Sequence, residues 1–181
     1  MNIKKQVTLL DKIGMEKAIG KIGADISKRL LNENIAFVGI QTRGVPFAKR
    51  LSEIYSAQTN KTPAMGRLDI TLYRDDLNQV LDWPVVKESE IDFKVEGKTI
   101  ILVDDVLFTG RTVRAALNAL SDYGRPKCVK LAVLVDRGHR ELPIEANYFG
   151  MKIETSPLDY VSVLFNETDG KDEVKIIEQN I

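Results

Sequence analysis

The sequence has few of the residues that mark several classes of protein. Its 181 residues include one cysteine, Cys128, so an intramolecular disulfide and a cysteine-rich metal site are excluded. Lysine plus arginine and aspartate plus glutamate number 26 each, and this balance leaves no strong net charge that would indicate nucleic acid or a membrane as the partner. The scarcity of cysteine fits a reducing compartment, and we expect a cytoplasmic protein.

Long apolar runs are also missing from the sequence. No run approaches the ~20 residues of a membrane helix, and the N-terminal segment lacks the long apolar core of a signal peptide. The composition is 44% hydrophobic and 29% charged, which is typical of a globular protein. We therefore expect one domain over residues 1–181, with no contact to a membrane.

Short apolar runs alternate with amphipathic segments along the chain. The patterns predict buried strands at 35–40, 99–103 and 128–135 and helices at 14–32, 47–55 and 112–123. An alternating stretch at 67–73 predicts a further strand, the polar residues 74–98 predict a long mobile excursion, and short strands follow residue 136. Strand and helix in alternation indicate an α/β fold, with a central, mostly parallel sheet flanked by helices.

The stretch TIILVDDVLFTGRT, residues 99–112, places two carboxylates at the end of a predicted buried strand. Ligands of parallel sheets gather at the carboxyl ends of the strands. Asp104 and Asp105 suit hydrogen bonds to vicinal hydroxyls, or Mg²⁺ held directly or through water. The following turn, Thr109 to Thr112, opens a helix whose free N–H groups favour an anion. A sugar phosphate matches this layout.

Each of these two motifs also has an ordinary structural interpretation. A pair of acids at a strand end is often only solvated, and a Thr-Gly turn often only caps a helix. Their combination on one strand, turn and helix is more specific. The sequence contains neither the G-x-G-x-x-G pattern of dinucleotide-binding folds nor the G-x-x-x-x-G-K-[ST] phosphate loop.

The stretch IILVDDVLFTGRT resembles the phosphoribosyl diphosphate (PRPP) signature of type I phosphoribosyltransferases. The stretches GIQTRGVPFAKRL, LDITLYRDDL and LVDRGHRELPI narrow the match, and the chain is identified as a member of the pyrimidine attenuation regulator (PyrR) family. The resemblance covers nearly the whole chain. It implies the type I phosphoribosyltransferase fold, with a small hood built from the N-terminal and C-terminal segments and a flexible loop at about 70–98.

The resemblance also implies which residues bind PRPP. Asp104 and Asp105 are expected to hold the ribose hydroxyls and to help place Mg²⁺, through those hydroxyls or through water. The segment after them is expected to wrap the 5′-phosphate, and a second loop to hold the diphosphate. The resulting set is Thr42, Arg43, Gly44, Asp104, Asp105, Val106, Leu107, Phe108, Thr109, Gly110, Arg111 and Thr112. An ordinary strand-to-helix turn is the alternative for Thr42–Gly44.

Four residues of the flexible loop are candidates by the same resemblance: Asp69, Thr71, Arg74 and Asp75. Arg74 is expected to reach the diphosphate, which makes Asp104, Asp105, Arg43 and Arg74 the catalytic set. The alternative for the loop stretch is a polar hairpin. The sequence supplies no clear general base.

The base is expected to be uracil. Hypoxanthine-type enzymes usually carry a third acid where this chain has Phe108, and the PyrR family allows an aromatic residue there. Arg137 and the backbone near Val161 are the expected contacts to the base. The implied reaction converts uracil and PRPP to UMP and diphosphate, and the open alternatives are transfer to another base and a nucleotide sensor without catalysis.

Members of the PyrR family also bind a stem-loop of pyrimidine operon mRNA, with UMP or UTP strengthening the binding. His139 and Arg140 are the candidate RNA residues here. The positions that contribute Thr, Arg and His in well-known members are Ala24, Asp25 and Lys28, and Glu145 replaces a frequent arginine. The acids at 25 and 145 weaken the expectation of RNA binding. A homo-oligomer is expected, with Trp83 as a candidate subunit contact.

Overall fold

The computed structural model describes residues 3–75 and 88–179. In chain order the elements are β1 (Ile3–Leu10), α1 (Lys12–Arg29), β2 (Ile35–Ile40), α2 (Gly44–Thr59), β3 (Ala64–Leu68), a 3₁₀ turn (Thr71–Tyr73), β4 (Thr99–Leu107), α3 (Arg111–Ser121), β5 (Cys128–Asp136), β6 (Tyr148–Lys152), β7 (Tyr160–Leu164), α4 (Asn166–Asp169) and β8 (Glu173–Gln179).

Five parallel strands form the central sheet, in the order β3-β2-β4-β5-β6. This confirms the predicted α/β architecture. The run IAFVGI is buried at every position of β2, as expected of a strand covered on both faces. The predicted helices and the three predicted buried strands are present, with ends that differ by a few residues.

Each face of the sheet carries its own apolar core. On one face, α1 and α2 contribute residues such as Ile22 and Phe47 to a cluster with Ile101 and Leu134. On the other face, α3 contributes Val113 and its neighbours to a cluster with residues of β2, β4 and β5. The regularly spaced apolar side chains of α1 and α3 therefore pack against the sheet, and this burial stabilises the two segments as helices.

A second, antiparallel sheet of three strands lies beside the central one, in the order β1-β8-β7. Its strands come from the two ends of the chain, and Val161 and Val174 join the core cluster on the α1 and α2 face. The identification of this sheet as a hood over a binding site remains a prediction.

The strand predicted at Arg67–Tyr73 is only partly correct. Strand β3 begins at Ala64 and ends at Leu68, and residues Thr71–Tyr73 form a 3₁₀ turn. The carboxylate of Asp69 accepts hydrogen bonds from the backbone N–H and the hydroxyl of Thr71, at 2.9 and 2.5 Å. This local turn replaces the ladder that a longer strand would need.

The predicted mobile excursion is described only in part. Residues 76–87, which include Trp83, lie outside the described residues, so the expected subunit contact is not addressed. Residues 88–98 are packed: Ile91 and Val95 are buried, and Glu90 forms an isolated antiparallel bridge with Arg67. Within the described ranges, no helix is both long and apolar enough to cross a membrane.

Helix α2 begins in very close contact with β4. A Cβ atom added at Gly44 would overlap the carbonyl oxygen of Val103 and stand 3.2 Å from its carbonyl carbon. A Cβ at Gly39 would lie 2.6 Å from the carbonyl oxygen of Gly44. Glycine at both positions lets the first turn of α2 sit against the ends of β2 and β4.

We expect Gly44→Ala to lower the free energy of unfolding by about 2 kcal/mol, because the new methyl group meets backbone atoms that cannot rotate away. Urea denaturation followed by circular dichroism measures the change. The matched control is Gly20→Ala within α1, where an added Cβ meets no atom within 4 Å, so a gain of about 0.5–1 kcal/mol is expected from helix propensity. Equal effects of the two changes would contradict the close contact.

Candidate active site

Asp104 and Asp105 lie where β4 runs past its neighbour. Strand β2 pairs with β4 as far as Val103, whereas β5 continues to pair as far as Leu107. The sequence predicted the acids just after the strand, and the structure places them within it. One edge of β4 is therefore unpaired with β2 at the acids, at the carboxyl end of the sheet.

The two carboxylates are held close to their own backbone. The N–H of Asp105 donates to Oδ1 of Asp104, and the N–H of Val106 donates to Oδ1 of Asp105, each at 3.0 Å. Burial, and next the charge of Asp105, raise the pKa of Asp104 well above its ordinary value. Burial also raises the pKa of Asp105. Two adjacent carboxylates, one buried and one partly buried, are costly without a counter-ion or a ligand, which favours a binding role over a solvated pair.

The turn after β4 has the backbone expected of an anion cradle. Gly110 has φ of 93° and stands at the N-cap of α3, and no side chain in the described ranges caps this helix. The Thr109 hydroxyl accepts from the N–H of Arg111 at 3.3 Å. A Cβ at position 110 would touch Ile144 at 3.4 Å and be strained by the positive φ.

The carbonyl groups of the same turn are occupied by the segment that follows β5. The N–H groups of Glu141 and Leu142 donate to the carbonyl of Thr109, at 3.0 and 3.2 Å. The guanidinium of Arg140 donates to the carbonyls of Leu107 and Phe108 and to Asp136. The contacts through its carbonyls hold the turn at the N-terminus of α3, a position that favours an anion.

Arg140 therefore lies inside the molecule, where it also donates to the carbonyls of Gly138 and Ile144. This contact set organises the turn and was not expected from the sequence, because its partners are up to 33 residues away. His139, the other RNA candidate, is exposed and its Nε2 lies 2.7 Å from the carbonyl oxygen of Thr155. Their RNA roles remain predictions.

The guanidinium of Arg111 pairs with two acids outside the turn. Its Nε donates to Glu141 at 2.6 Å and its Nη1 to Asp75 at 2.7 Å. Asp75 also pairs with Arg114 at 3.1 Å. Arg111 and Asp75 are thus brought together, which ties the described start of the predicted flexible loop to α3. What Arg111 offers to an anion in this arrangement is its backbone.

The predicted diphosphate loop follows β2 and faces the acids of β4. The peptide bond between Gln41 and Thr42 is cis. Arg43 precedes the first residue of α2, and its guanidinium donates to Asp169 through Nε at 3.1 Å and Nη2 at 2.8 Å. Asp169 chiefly, and Asp105 more weakly, raise the pKa of Arg43. The next residue, Gly44, packs against β4, where an added Cβ atom would lie 3.4 Å from the Cα atom of Asp104, so Arg43 lies at the end of β4 that carries the acids.

Of the two predicted base contacts, Arg137 lies against Phe108. The guanidinium carbon of Arg137 lies 3.9 Å from the centre of the Phe108 ring, and its Nη2 donates to the carbonyl of Ser156 at 3.1 Å. Arg137 is buried, and among the described residues its Nε has no hydrogen-bond partner. Burial lowers the pKa of Arg137. Val161 is buried in β7 and belongs to the cluster against which Val106 packs.

The other predicted residues are placed as follows. Thr42 and Thr112 are exposed, Val106 and Phe108 are partly buried, and Leu107 is buried. Asp69 and Thr71 form the turn after β3, and Arg74 follows the 3₁₀ turn with extended backbone. No group of three or more histidines, cysteines or acids in residues 3–75 and 88–179 could hold a metal ion without further ligands.

The exposed face of α1 carries the residues weighed for RNA binding. Asp25 pairs with Arg29 at 2.7 Å. Together with Tyr148 and Phe149 this face lines a groove of about 400 Å³, whose other lining residues are Lys21, Ile22, Ala24 and Lys28. Glu145 is exposed on the segment before β6.

The chain is similar to known proteins over most of its length. The family described as "Phosphoribosyl transferase domain" matches residues 6–165. The "Bifunctional protein PyrR" of Pelotomaculum thermopropionicum is 48% identical over 176 residues, with 97% of each chain covered. That of Clostridioides difficile is 50% identical over 175 residues, covering 96% of this chain and 99% of its own.

Solved structures show the same fold at low identity. The hypoxanthine phosphoribosyltransferase of Staphylococcus aureus superposes with a TM-score of 0.70 at 19% identity, over 98% of both chains. The Trypanosoma cruzi hypoxanthine enzyme gives 0.73 at 15% identity, over 97% of this chain and 92% of its own. The predicted type I phosphoribosyltransferase fold is thereby confirmed.

The raised pKa of Asp104 makes a stability prediction with a definite sign. Folded Asp104 holds its proton more tightly than the unfolded chain, so its ionisation costs stability as pH rises above about 4. In magnesium-free buffer at mildly alkaline pH, Asp104→Asn should raise the free energy of unfolding by about 1 kcal/mol. The gain should vanish below the unfolded-state pKa of about 4.

The matched control is Asp136→Asn at the end of the neighbouring strand. Asp136 is equally buried but accepts from Arg140 at 2.5 Å and from the N–H of Gly138 at 3.1 Å. Removing its charge should lower the free energy of unfolding by about 2 kcal/mol. Urea titrations across pH measure both changes, and a loss of stability for Asp104→Asn at alkaline pH would count against our interpretation.

Proposed function

Because the chain is a phosphoribosyltransferase that belongs to the PyrR family, we propose that it joins uracil to the ribose of PRPP, giving UMP and diphosphate. The observation that carries this proposal is the pair of acids, buried Asp104 and partly buried Asp105, set directly before an anion cradle on one strand, turn and helix. A ribose bearing a 5′-phosphate requires these two features side by side.

The charges around the acid pair suit the chemistry of the transfer. Breaking the bond between C1′ and the diphosphate oxygen leaves positive charge on the ribose ring and negative charge on the diphosphate. Asp104 and Asp105 stabilise the ring, while Arg43 at the end of β2 stabilises the leaving group. Arg74 is assigned to the same diphosphate from the loop side. The N1 atom of uracil then bonds to C1′ from the opposite face, and the N1 proton passes to the released diphosphate or to water.

Magnesium fits this donor set. Mg²⁺ is usually held by one or two carboxylates together with substrate oxygens and water, and Asp104 and Asp105 supply two carboxylates where no larger cluster of protein ligands is found in the described chain. When bound, the ion neutralises diphosphate charge. Asp104 and Asp105 would hold it through the ribose hydroxyls or through water.

We assign the base to the space beside Phe108 and Arg137. The buried Nε–H of Arg137 lacks a partner among the described residues, and a uracil carbonyl oxygen would satisfy it. Main-chain groups near Val161 would read the remaining edge of the pyrimidine. Phe108 offers an apolar surface where a third acid would favour a purine. His139, the sole histidine of the sequence, is engaged with the Thr155 carbonyl, and we assign no general base.

The same proposal extends to the cellular setting. UMP is the product and also a ligand of the chain. The compartment is the cytoplasm, and the chain acts as a homo-oligomer. The balanced charge and the single cysteine support the compartment.

We expect the purified chain, given PRPP, Mg²⁺ and uracil, to form UMP and release diphosphate in equal amounts. Hypoxanthine, guanine and orotate should react at least about 100-fold more slowly, because a site built for the pyrimidine edge leaves polar groups unpaired with the wrong base. Chromatography of the nucleotides measures the products. Turnover of hypoxanthine at a rate equal to that of uracil would refute the assignment of the base.

In the same assay, changing both Asp104 and Asp105 to Asn tests the origin of catalysis. The loss should be at least about a thousandfold, since the positive ring loses both carboxylates. Glu33→Gln is the control, because Glu33 pairs with Lys127 and Thr99 at the opposite end of β4.

RNA binding is a second candidate function. It is favoured by the word "bifunctional" in the names of the relatives and by Lys21, Lys28 and Arg29 along the groove of α1. It is opposed by Asp25, which neutralises Arg29. Phosphate contacts dominate the affinity of such complexes, so the balance of charge on this face decides the matter.

If the chain regulates pyrimidine mRNA, a gel-shift assay should show binding of a leader stem-loop, tightened by UMP. Asp25→Asn should tighten binding about threefold by removing one carboxylate from the phosphate face. Glu53→Gln, at an exposed position of α2, should leave the affinity unchanged. No shift at moderate salt, with or without UMP, would exclude this function.

A further inference from the structure

A stripe of residues along α2 and just before it contacts residues 165–172, the turn after β7 that leads to β8. Arg43, Phe47 and Arg50 follow each other at helical spacing. Arg43 pairs with Asp169, and Phe47 stacks on Phe165 with ring centres 5.9 Å apart. Arg50 pairs with two further acids of the same turn, Glu167 and Asp172. Three of these contacts join arginines to acids, and those of Arg43 and Arg50 stand at opposite ends of the stripe.

The pair at the end nearer to Asp105 has a fixed geometry. Oδ1 of Asp169 accepts from Nη2 of Arg43 at 2.8 Å, and Oδ2 accepts from Nε at 3.1 Å. Oδ2 also accepts from the N–H of Phe165 at 3.0 Å, and Phe165 itself is fully buried. Asp169 is thus anchored by backbone, and it grips one edge of the planar guanidinium in the bidentate way.

The remaining edge of the Arg43 guanidinium carries the Nη1 amino group. A guanidinium has five N–H donors, and the pair with Asp169 uses the Nε edge. Asp105 is the next acid that acts on Arg43. The next residue, Gly44, lies against β4, where an added Cβ atom would stand 3.4 Å from the Cα atom of Asp104. Arg43 therefore lies between Asp169, anchored in the turn after β7, and the acid pair of β4.

Asp169 and Asp105 compete for Arg43, and a pair between Arg43 and Asp105 would disrupt the site. An Arg43 released from Asp169 would be drawn towards Asp105. Such a pair would occupy the carboxylate assigned to the ribose and would turn the guanidinium away from the diphosphate. The bidentate pair with Asp169 occupies the Nε edge of the guanidinium, so that edge cannot turn to Asp105.

We propose that Asp169 is a positioning residue, which orients Arg43 for diphosphate and keeps it off Asp105. The inference rests on the function proposed above. It gives the turn after β7 a role in binding PRPP, although that turn lies outside every motif of the sequence that marks the substrate. Asp169 acts through Arg43 and makes no contact with the substrate in this account.

The test separates positioning from simple stabilisation by means of two variants of one turn. Asp169→Asn keeps the shape of the side chain and loses its charge. Asp172→Asn does the same at the other end of the stripe, where the carboxylate accepts from Nη2 of Arg50 at 2.7 Å and from the N–H of Asn166 at 2.9 Å. Both should lower the melting temperature, because each removes one partner of an arginine.

Kinetics should distinguish the two variants. For Asp169→Asn we expect the KM for PRPP to rise about tenfold and kcat to fall, with less than about a twofold change in the KM for uracil, as loss of an oriented charge-assisted contact predicts. Asp169→Glu, which retains the charge, should recover part of the loss. Asp172→Asn should keep the kinetic constants of the unmodified chain within about twofold.

A binding measurement without turnover completes the test. Titration of magnesium diphosphate by calorimetry should show about tenfold weaker binding for Asp169→Asn and unchanged binding for Asp172→Asn. Equal weakening in both variants, or none in Asp169→Asn, would overturn the inference. If the unmodified chain makes no UMP, the proposed function fails, but the calorimetric comparison of the two folded variants still decides the role of Asp169.

Discussion

The candidate site depends on the unequal lengths of two neighbouring strands. Strand β2 leaves β4 at Val103, and β4 continues with β5 alone to Leu107. The first turn of α2 folds back over the gap, which Gly39 and Gly44 permit because no Cβ atom stands between the helix and β4. The acid pair, the anion cradle and Arg43 thereby meet at one end of the sheet.

Burial raises the free energy of the ionised acid pair, and it thereby favours the binding of a ligand or a cation. A carboxylate that is desolvated beside another carboxylate is destabilising unless a ligand supplies hydroxyls or a cation. The surrounding fold bears this cost with two apolar cores, one on each face of the sheet. The cradle is organised in a similar way, since Arg140 and the N–H groups of Glu141 and Leu142 bind its carbonyls from behind.

Arginines of this protein illustrate how charge is distributed between structure and chemistry. The guanidinium of Arg140 donates to carbonyls and to Asp136. The guanidinium of Arg50 pairs with two acids of the turn after β7. Arg43 is bound on one edge only by the contacts described here and faces the acid pair. The same residue type thus serves as an internal cross-link at two positions and as a candidate ligand of diphosphate at the third.

The sequence by itself determined the α/β architecture, the buried strands, and the neighbourhood of Asp104, Asp105 and the Thr109–Thr112 turn, because apolar periodicity and a contiguous motif are local properties. It placed a strand over Arg67–Tyr73 where Asp69 makes a turn instead. Only the tertiary structure decided that Asp169 holds Arg43 across 126 positions, that Arg140 points inwards, and that β4 outlasts β2. Such contacts depend on which chain segments the packed sheet brings together, and no local pattern of residues records that.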